Sequence, residues 1–205
     1  MSWHPTTSQG FEVRKVRHRV ITFLRGQGLD LGCGDEKICP DAIGIDLEGK
    51  GADVRLDLSR FDALRIFSDG SFDYVFSSHC LEDFKEPQHV LAEWCRVIKP
   101  GGYLILYLPD RKFYPNVGTA GANPNHEHDF EWRDIWAILK KFRNMRLISA
   151  TEHNQSNEYS FQIICQKTFA LYKGRCLDCP YKRSVSRRLY RQVRARFWGA
   201  LCSSA

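Results

Sequence analysis

Long apolar runs are missing from the 205-residue sequence. No stretch reaches the roughly 18 consecutive apolar residues that a membrane-spanning helix needs. The first 20 residues also contain no apolar segment of the kind that forms the core of a secretory signal. The hydrophobic fraction of 43% and the aromatic content of 13% predict a folded chain, and we expect it in the cytoplasm.

Cysteine pairs at metal-binding spacing are scarce. The eight cysteines include one CxxC, formed by Cys176 and Cys179, whereas a zinc site needs about four ligands. The five cysteines between positions 33 and 165 lie within or beside predicted core elements of a chain expected in a reducing compartment. We therefore expect buried, reduced thiols and no metal site.

Negative charge is nearly absent from the C-terminal segment, residues 169–205. This segment contains nine lysines and arginines against one acid, Asp178, whereas the whole chain has a net charge of +6. The preceding residues are therefore mildly acidic. The contrast predicts two parts, a domain over residues 1–168 and a basic tail over residues 169–205.

The hydrophobic pattern of residues 1–168 alternates between short apolar runs and amphipathic helices. Helical spacing occurs in residues 11–26, 87–98 and 133–142. Five strand-like runs precede a pair of runs that flanks the turn-rich HNQSN and indicates a hairpin. The pattern predicts an α/β fold, namely a Rossmann-like, doubly wound, mostly parallel sheet with a C-terminal antiparallel hairpin strand, followed by a basic helical tail.

Glycines and polar residues recur at the carboxyl ends of the predicted strands. In open α/β sheets, ligands bind beyond these ends, where the strand order reverses. The residues at this edge are Gly32, Gly34, Asp46, Asp57, Ser77, Ser78 and His79. The sequence therefore predicts a ligand site at this edge.

Five motifs occur along the chain in a fixed order. They are LDLGCG (29–34), IGIDL (43–47), RLDLS (55–59), FDYVFSSHCLE (72–82) and RVIKPGGYLILYLPD (96–110). In this order they resemble the class I S-adenosylmethionine-dependent methyltransferases, specifically the methyltransferase type 11 group. The resemblance extends over residues 11–168 and implies S-adenosyl-L-methionine as the cofactor.

The resemblance implies roles for individual residues. Asp30 would help to hold the methionine end of the cofactor, Asp46 would accept hydrogen bonds from both ribose hydroxyls, and Asp57 would contact the adenine amino group. The glycines allow a sharp bend and a close approach of the backbone to the cofactor. The full set of candidate cofactor-binding residues is Asp30, Gly32, Cys33, Gly34, Lys37, Asp46, Leu47, Asp57, Leu58, Ser77 and Ser78.

NAD is the rival ligand for a glycine-rich turn. Its fingerprint has three glycines that open a full helix, with an acid roughly 20 residues further on. Here the third glycine is absent, Asp46 follows Gly34 after 12 positions, and the intervening DEKICPDA contains Pro40. This segment is also shorter than is common among methyltransferases, which makes Lys37 a candidate partner for the cofactor carboxylate.

Three histidines are candidates for a general base, which a hydroxyl acceptor would benefit from. His79 follows the fourth strand, and His126 and His128 lie in the loop after the fifth. Many relatives have a histidine directly after the Leu-Glu pair that ends at Glu82, where this chain has Asp83. A structural role is the alternative for each histidine. The sequence HEHD also resembles a set of metal ligands, but adjacent loop residues seldom all point inward.

The segment from residue 111 to residue 132 is long for a connection in a compact domain, and such loops are usually functional. Its aromatic and polar side chains suit a sugar or another polyol, and they also suit a small aromatic acceptor. The candidate substrate-binding residues are Glu82, Tyr114 and Asn125. No Asn/Asp-Pro-Pro-aromatic motif of the protein-arginine or DNA-amino methyltransferases occurs.

Two functions from different classes remain open at this point. One is an active methyltransferase that modifies a hydroxyl group of a small molecule or glycan. The other is a non-catalytic cofactor-binding or adaptor protein that retains the methyltransferase fold. The acids at positions 46 and 57 favour cofactor binding in both cases, whereas the histidines favour catalysis.

Residues 182–201 combine six arginines with an apolar stripe at four-residue spacing, formed by Val185, Leu189, Val193 and Phe197. This pattern predicts an amphipathic helix that binds an anionic membrane surface, or else an acidic partner protein. Nucleic acid is the less favoured ligand, and packing against the chain's own domain is the remaining alternative. Peripheral attachment to the inner face of a membrane would suit a lipid-linked surface glycan as the acceptor.

Overall fold

The computed structural model describes residues 11–60, 62–142, 144–155, 157–169, 171–172 and 175–176. Its contacts divide the chain into two units, Met1–Thr168 and Phe169–Ala205. In the second unit, the description covers Phe169 and a short antiparallel pair of strands, Leu171–Tyr172 and Arg175–Cys176. The predicted tail helix over residues 182–201 lies outside the described residues, as does Cys179 of the CxxC.

Seven strands of the first unit form one sheet with the order β3-β2-β1-β4-β5-β7-β6. The strands are β1 (Gly28–Leu31), β2 (Ile43–Asp46), β3 (Val54–Arg55), β4 (Phe72–Ser78), β5 (Ile98–Pro109), β6 (Met145–His153) and β7 (Ser160–Lys167). The first five are parallel, and β7 runs antiparallel to both β5 and β6. The predicted doubly wound, mostly parallel sheet with a C-terminal antiparallel hairpin is therefore confirmed.

Helices cover both faces of the sheet. The α-helices are α1 (Glu12–Val20), α2 (Pro87–Val97) and α3 (Trp132–Leu139). On one face, Val13, Val16 and Val20 of α1 pack against central-strand side chains such as Tyr74 and Tyr107. On the other face, a larger cluster joins α2 and α3 to the same strands. Burying each of these side chains stabilises the fold by about 1.5–3 kcal/mol, which explains why strands covered on both faces have continuous apolar sequences.

Two connections position the functional edge of the sheet. The segment between β1 and β2 forms turns rather than a helix, as its length and Pro40 predict, and the buried Ile38 anchors it to the core. The KPGG stretch, residues 99–102, lies inside β5 and does not form a separate loop between α2 and β5. There Gly101 has a φ of 92° and the register with β4 shifts, so an irregularity in the strand accommodates the two glycines.

The strand order reverses between β1 and β4, which lie side by side at the centre of the sheet. The chain proceeds outward from β1 to β2 and β3, and then outward in the opposite direction from β4 to β5. Connections that diverge in this way leave a crevice at the carboxyl ends of the two central strands. Among the described helices, none is long and apolar enough to cross a membrane.

Candidate functional site

A cleft of about 460 Å³ lies at the carboxyl ends of the central strands. This volume is within the range of small-molecule sites. It is bounded by the turn after β1, by the end of β2, by the residues after β4, by the start of α1 and by the loop over residues 111–129. The cleft is therefore formed by the glycine-rich turn together with elements that are distant from it in the sequence.

The glycine-rich turn forms the floor of the cleft. Gly32 and Gly34 have φ angles of 70° and 56°, which side chains with a Cβ rarely adopt. A Cβ at Gly32 would also lie 2.4 Å from the Sγ of Cys80, so the turn packs too closely for any larger residue. The backbone N–H of Gly32 donates to the carbonyl of Ile45 at 2.8 Å and so joins the turn to β2.

Asp46 ends β2 at the edge of the cleft. Its carboxylate accepts hydrogen bonds from the backbone N–H groups of Gly34 at 2.9 Å, Glu48 at 2.9 Å and Gly49 at 2.8 Å. Partial burial acts to raise the pKa of Asp46, but these donors outweigh it and hold the pKa below its usual range. Asp46 is thus an ionised acceptor at neutral pH, as binding to ribose hydroxyls requires.

Asp30 lies deeper, at the end of β1, and is 1% exposed. Burial raises the pKa of Asp30 to about 7, although the N–H of Ile38 and the charges of Lys37 and Arg17 act in the opposite direction. Next to Asp46 at the cleft edge, the side chain of Leu47 is 55% exposed and offers an apolar surface on which an adenine ring could pack. Asp30 and Asp46 would therefore meet polar groups of a cofactor, and Leu47 would meet an apolar ring between or beside them.

His79 follows β4 and has a φ of 48°, an uncommon backbone conformation for a histidine. Its Nε2 atom is 2.9 Å from Ser160 Oγ and 3.8 Å from Glu12 Oε2. Burial lowers the pKa of His79 to about 3, and the nearby Lys15 and His126 act in the same direction. The His79 imidazole is therefore neutral at physiological pH and held in one position.

Glu82 lies between two of the predicted histidines and is 1% exposed. Its Oε1 atom is 4.0 Å from His79 Nδ1 and 3.8 Å from His126 Nε2. Among the described residues, neither carboxyl oxygen of Glu82 has a hydrogen-bond partner. Burial raises the pKa of Glu82 well above its ordinary value, with Asp83 adding to the effect, and burial lowers the pKa of His126. The cleft therefore contains a carboxyl group between two neutral imidazoles.

An aromatic wall completes the cleft on the side of the long loop. The Tyr114 ring is centred 5.2 Å from the His126 ring and 4.9 Å from the Tyr159 ring. The loop is joined to Glu82 because the backbone N–H groups at 127 and 128 donate to the Glu82 carbonyl at 2.9 and 3.2 Å. Asn125 also lines the cleft. The structure thus brings together all three predicted substrate-binding residues.

Glu12 lines the cleft, and the sequence analysis did not name it. It lies in the first turn of α1, is 8% exposed and accepts a hydrogen bond from Tyr159 at 3.3 Å. Its Oε1 also accepts a hydrogen bond from Lys15 at 2.7 Å, whereas its buried Oε2 has no hydrogen-bond partner among the described residues and lies 3.8 Å from His79 Nε2. The sequence did contain an indication, because Glu12 lies four residues before Val16 and therefore on the buried face of the helix.

Several predicted site residues lie outside the cleft, and the predictions for Lys37, Ser77 and Leu58 require correction. The Lys37 ammonium donates to Asp53 Oδ2 at 2.8 Å and to the Ala42 carbonyl at 2.9 Å, away from the cleft. The Ser77 hydroxyl is fully buried and donates to the Leu31 carbonyl at 2.8 Å. By contrast, Ser78 and Cys33 line the cleft.

Three further predicted residues also lie away from the cleft lining. Leu58 is buried in the core, so its expected place beside the adenine ring is not what the structure shows. The exposed Asp57 accepts hydrogen bonds from the backbone and hydroxyl of Ser59, and its contact with adenine stays a prediction. His128 stacks on Phe130 and donates to the Lys85 carbonyl at 3.2 Å. In the part of the chain described, no group of three or more metal-ligating side chains is arranged to hold a metal.

Comparison with known proteins agrees with this geometry. Residues 29–106 match the protein family described as a methyltransferase domain. None of the curated proteins matches the chain. Many solved structures share its fold at low identity.

Three of these structures show the extent of the similarity. A SAM-dependent methyltransferase from Archaeoglobus fulgidus is 16% identical with a TM-score of 0.57, over 76% of this chain and 94% of that chain. A chain in the complex between the Haloferax volcanii Trm112 methyltransferase activator and a methyltransferase is 15% identical with a TM-score of 0.58, over 80% and 92%. A SAM-dependent methyltransferase from Methanosarcina mazei is 18% identical with a TM-score of 0.53, over 82% and 99%.

The structural similarity confirms the fold, and the family match identifies the chemistry that the fold performs. The match begins within β1 and ends within β5, so it spans the turn after β1, the acid that ends β2 and the residues after β4. These elements make the cofactor side of the cleft. The protein therefore carries a class I S-adenosylmethionine-dependent methyltransferase domain, with S-adenosyl-L-methionine as its cofactor.

Proposed function

We propose that the methyl acceptor is a hydroxyl group of a small molecule or glycan, with His79 as the general base. The observation that carries this proposal is the neutral His79 imidazole in the cleft, within 4.0 Å of carboxyl oxygens from both Glu12 and Glu82. A hydroxyl is a weak nucleophile, so a base that removes its proton during transfer contributes about 100-fold or more. A thiol or a neutral amine has less need of such a base.

Two carboxyl groups lie beside the ring on which positive charge would develop during the reaction, those of Glu12 and Glu82. S-adenosylmethionine supplies an electrophilic methyl group on a sulfonium. When the acceptor oxygen forms its bond to the methyl carbon, its proton passes to the imidazole, which becomes positively charged. That charge lies 3.8 Å from Glu12 Oε2 and favours the ionised form of Glu82. These carboxylates would offset part of the burial that lowers the pKa of His79.

The acceptor side of the cleft supports a polyol. The rings of Tyr114 and Tyr159 offer flat apolar surfaces, and Asn125, Glu12 and Glu82 offer polar groups. Sugars present the same combination, because their C–H faces are apolar and their hydroxyls lie around the rim. This chemistry supports a glycan or another hydroxylated small molecule over a purely apolar acceptor.

An amine acceptor is the second candidate. Of the described residues that line the cleft, seven are acidic and none is a lysine or arginine. Carboxylates beside aromatic rings are a common arrangement for binding organic cations. The non-catalytic alternative is less well supported, because a cofactor-binding adaptor has no use for a buried imidazole between two carboxyl groups.

The test is methyl transfer from radiolabelled S-adenosylmethionine to fractionated metabolites and glycans. We expect a labelled product that resists alkaline hydrolysis and is not retained by a cation exchanger, as a methyl ether would behave. Label that alkali releases as methanol would indicate a methyl ester, and label retained by the exchanger would indicate an amine. Either result would overturn hydroxyl methylation, and no transfer to any fraction would favour the adaptor role.

We also propose that residues 182–201 attach the protein to an anionic membrane, which would bring it to a lipid-linked surface glycan. The support is the sequence pattern of arginines around an apolar stripe. The full-length protein should float with vesicles that contain phosphatidylglycerol and not with neutral vesicles. A full-length variant with Arg187, Arg188, Arg191 and Arg194 changed to serine should remain at the bottom of the gradient. If the wild type also remains there, the attachment is wrong, and an acidic protein partner becomes the better explanation of the tail.

A further inference from the structure

Polar atoms without a hydrogen-bond partner are concentrated in the cleft. Among the described residues, seven buried side-chain oxygen and nitrogen atoms have no such partner, and four of them belong to residues that line the cleft. These four are Glu12 Oε2, Ser78 Oγ and both carboxyl oxygens of Glu82. Buried polar atoms are paired almost everywhere in native proteins, because an unpaired one destabilises the fold. Their concentration in the cleft indicates hydrogen-bonding capacity that a bound ligand would use.

Glu82 carries two of these atoms on one side chain, and the residue is 1% exposed. Burial raises the pKa of Glu82 well above its ordinary value, so the carboxyl group of the free protein retains its proton. A protonated carboxyl group is uncharged and presents one donor oxygen and one acceptor oxygen. A single hydroxyl reaches one of these oxygens with good geometry, whereas two hydroxyls on neighbouring carbons can reach both. The group that complements Glu82 is therefore an uncharged pair of adjacent hydroxyls.

The distances around Glu82 place one of these hydroxyls beside His79. Glu82 Oε1 is 4.0 Å from His79 Nδ1 and 3.8 Å from His126 Nε2, which is too far for a direct hydrogen bond. An oxygen about 2.8 Å from Oε1 can also lie within hydrogen-bond distance of His79 Nδ1, so one hydroxyl can join the two atoms. The other ring nitrogen of His79, Nε2, is already 2.9 Å from Ser160 Oγ. Nδ1 is therefore the nitrogen left for the acceptor.

The side chains above Glu82 suit the carbon ring of a cyclic polyol. The Tyr114 ring is centred 4.9 Å from the Tyr159 ring and 5.2 Å from the His126 ring, and these rings offer flat surfaces to the C–H groups of such a ligand. Among the described residues, no hydrogen bond holds the His126 imidazole. A small rotation of that ring, which breaks no such bond, can therefore admit a hydroxyl beside Glu82 Oε1.

We infer that the acceptor is a vicinal diol on a carbon ring, and that Glu82 is the specificity-determining residue that binds both of its hydroxyls. An isolated hydroxyl would leave one buried carboxyl oxygen unpartnered and would bind more weakly. The choice of the methylated atom rests on the proposed function. The hydroxyl beside Glu82 Oε1 forms the new bond to the methyl carbon as the bond from that carbon to the sulfonium breaks, and its proton passes to the His79 imidazole.

Binding of the diol can be measured without methyl transfer. The probes are cis-1,2-cyclohexanediol and cis-1,4-cyclohexanediol, which have the same atoms and differ in the spacing of the hydroxyls. Saturation-transfer NMR titrations of the full-length protein with saturating S-adenosylhomocysteine give both dissociation constants. We expect the 1,2-diol to bind about tenfold more tightly, the factor that one further hydrogen bond contributes. Equal binding of the two diols, or no binding of either, would overturn the inference.

Glu82→Met is the decisive variant, because it removes both carboxyl oxygens and keeps a side chain of similar length. It should lose the preference for the 1,2-diol and melt at or above the wild-type temperature, since the unpartnered carboxyl group is gone. Glu82→Gln should keep part of the preference, because a carboxamide also presents a donor and an acceptor. A preference that survives in Glu82→Met would contradict the inference, and a lower melting temperature of that variant would indicate a structural role instead.

Asp110→Asn is the matched control. Asp110 is also fully buried, and its Oδ2 atom also lacks a hydrogen-bond partner among the described residues, but it does not line the cleft. This variant should therefore bind the two diols as the wild type does. Loss of the preference in Asp110→Asn would show that the effect of Glu82 is not specific to the cleft.

Periodate separates the failure of this inference from the failure of the proposed function. It cleaves the carbon–carbon bond between adjacent hydroxyls and leaves isolated hydroxyls intact. Treating the acceptor fraction with periodate, and removing the reagent before the reaction, should abolish labelling. Labelling that survives the treatment would overturn the vicinal diol and leave hydroxyl methylation in place. A preference for the 1,2-diol without methyl transfer to any fraction would support the binding site and refute the proposed function.

Discussion

Replacing His79 with asparagine should reduce methyl transfer by about a hundredfold or more, because asparagine cannot accept the proton of the acceptor hydroxyl. Asparagine is the appropriate substitution, since it tolerates the left-handed backbone conformation at a φ of 48° better than alanine does. The measurement is initial-rate kinetics with labelled cofactor at saturating acceptor. Binding of S-adenosylmethionine, measured by calorimetry, should change little.

His128→Asn is the matched control for this experiment. Its side chain stacks on Phe130 outside the cleft lining, so the variant should keep near-normal turnover. The pKa of His79 is about 3, well below the 6.5 of a solvated histidine, so the residue is neutral both at pH 6 and at pH 8. The ratio of wild-type to His79→Asn rates should therefore stay constant between these two values. Near-normal turnover of His79→Asn would disprove base catalysis by this residue.

Replacing Asp46 with asparagine should weaken the binding of S-adenosylmethionine by about 10- to 100-fold, which corresponds to the loss of charged hydrogen bonds to the ribose. The structure adds a second cause, because Asp46 also holds the N–H of Gly34 and so keeps the glycine-rich turn in place. Calorimetry with S-adenosylmethionine and S-adenosylhomocysteine measures the combined effect of these two causes on the affinity. NAD should show no binding to the wild-type protein.

Asp53→Asn separates the two causes. Asp53 also accepts a backbone N–H, from Gly44 at 2.8 Å, but it pairs with Lys37 outside the cleft. This variant also loses a carboxylate that accepts a backbone hydrogen bond, but it loses no contact with the ligand. Its affinity for the cofactor should therefore stay within about twofold of the wild type. Equal effects of the two substitutions would remove Asp46 from the binding site and leave it with a structural role.

The cofactor side of the protein was largely predictable because its residues are local in sequence. The glycines of the turn follow β1 directly, and the acid at position 46 ends β2, so strand periodicity alone places them at one edge of the sheet. Backbone requirements are also local, and a glycine at φ 70° is needed whatever packs around it. The fold class and the ligand-binding edge could therefore be inferred from the pattern of the sequence, whereas the family and the cofactor were inferred from the resemblance of the five ordered motifs.

Adjacent positions within a strand were harder to distinguish. Ser77 and Ser78 were both expected at the cofactor, but neighbouring residues of a strand point in different directions, and only Ser78 lines the cleft. Lys37 was expected at the cofactor carboxylate, but the ion pair with Asp53 holds its ammonium on another side. The direction of a side chain depends on its partners, and those partners are not its neighbours in the sequence.

The sequence by itself determined the parallel sheet, the glycine-rich turn and the acid at the end of β2, because each depends on the periodicity and backbone freedom of consecutive residues. Only the tertiary structure decided the surroundings of His79. Glu12 reaches it from the first turn of α1, and Ser160 and Tyr107 meet it through the register of β7 on β5. Burial and contacts with residues 67 and 81 positions away in the sequence set its charge and its hydrogen bonds, and such contacts cannot be inferred from a local sequence pattern.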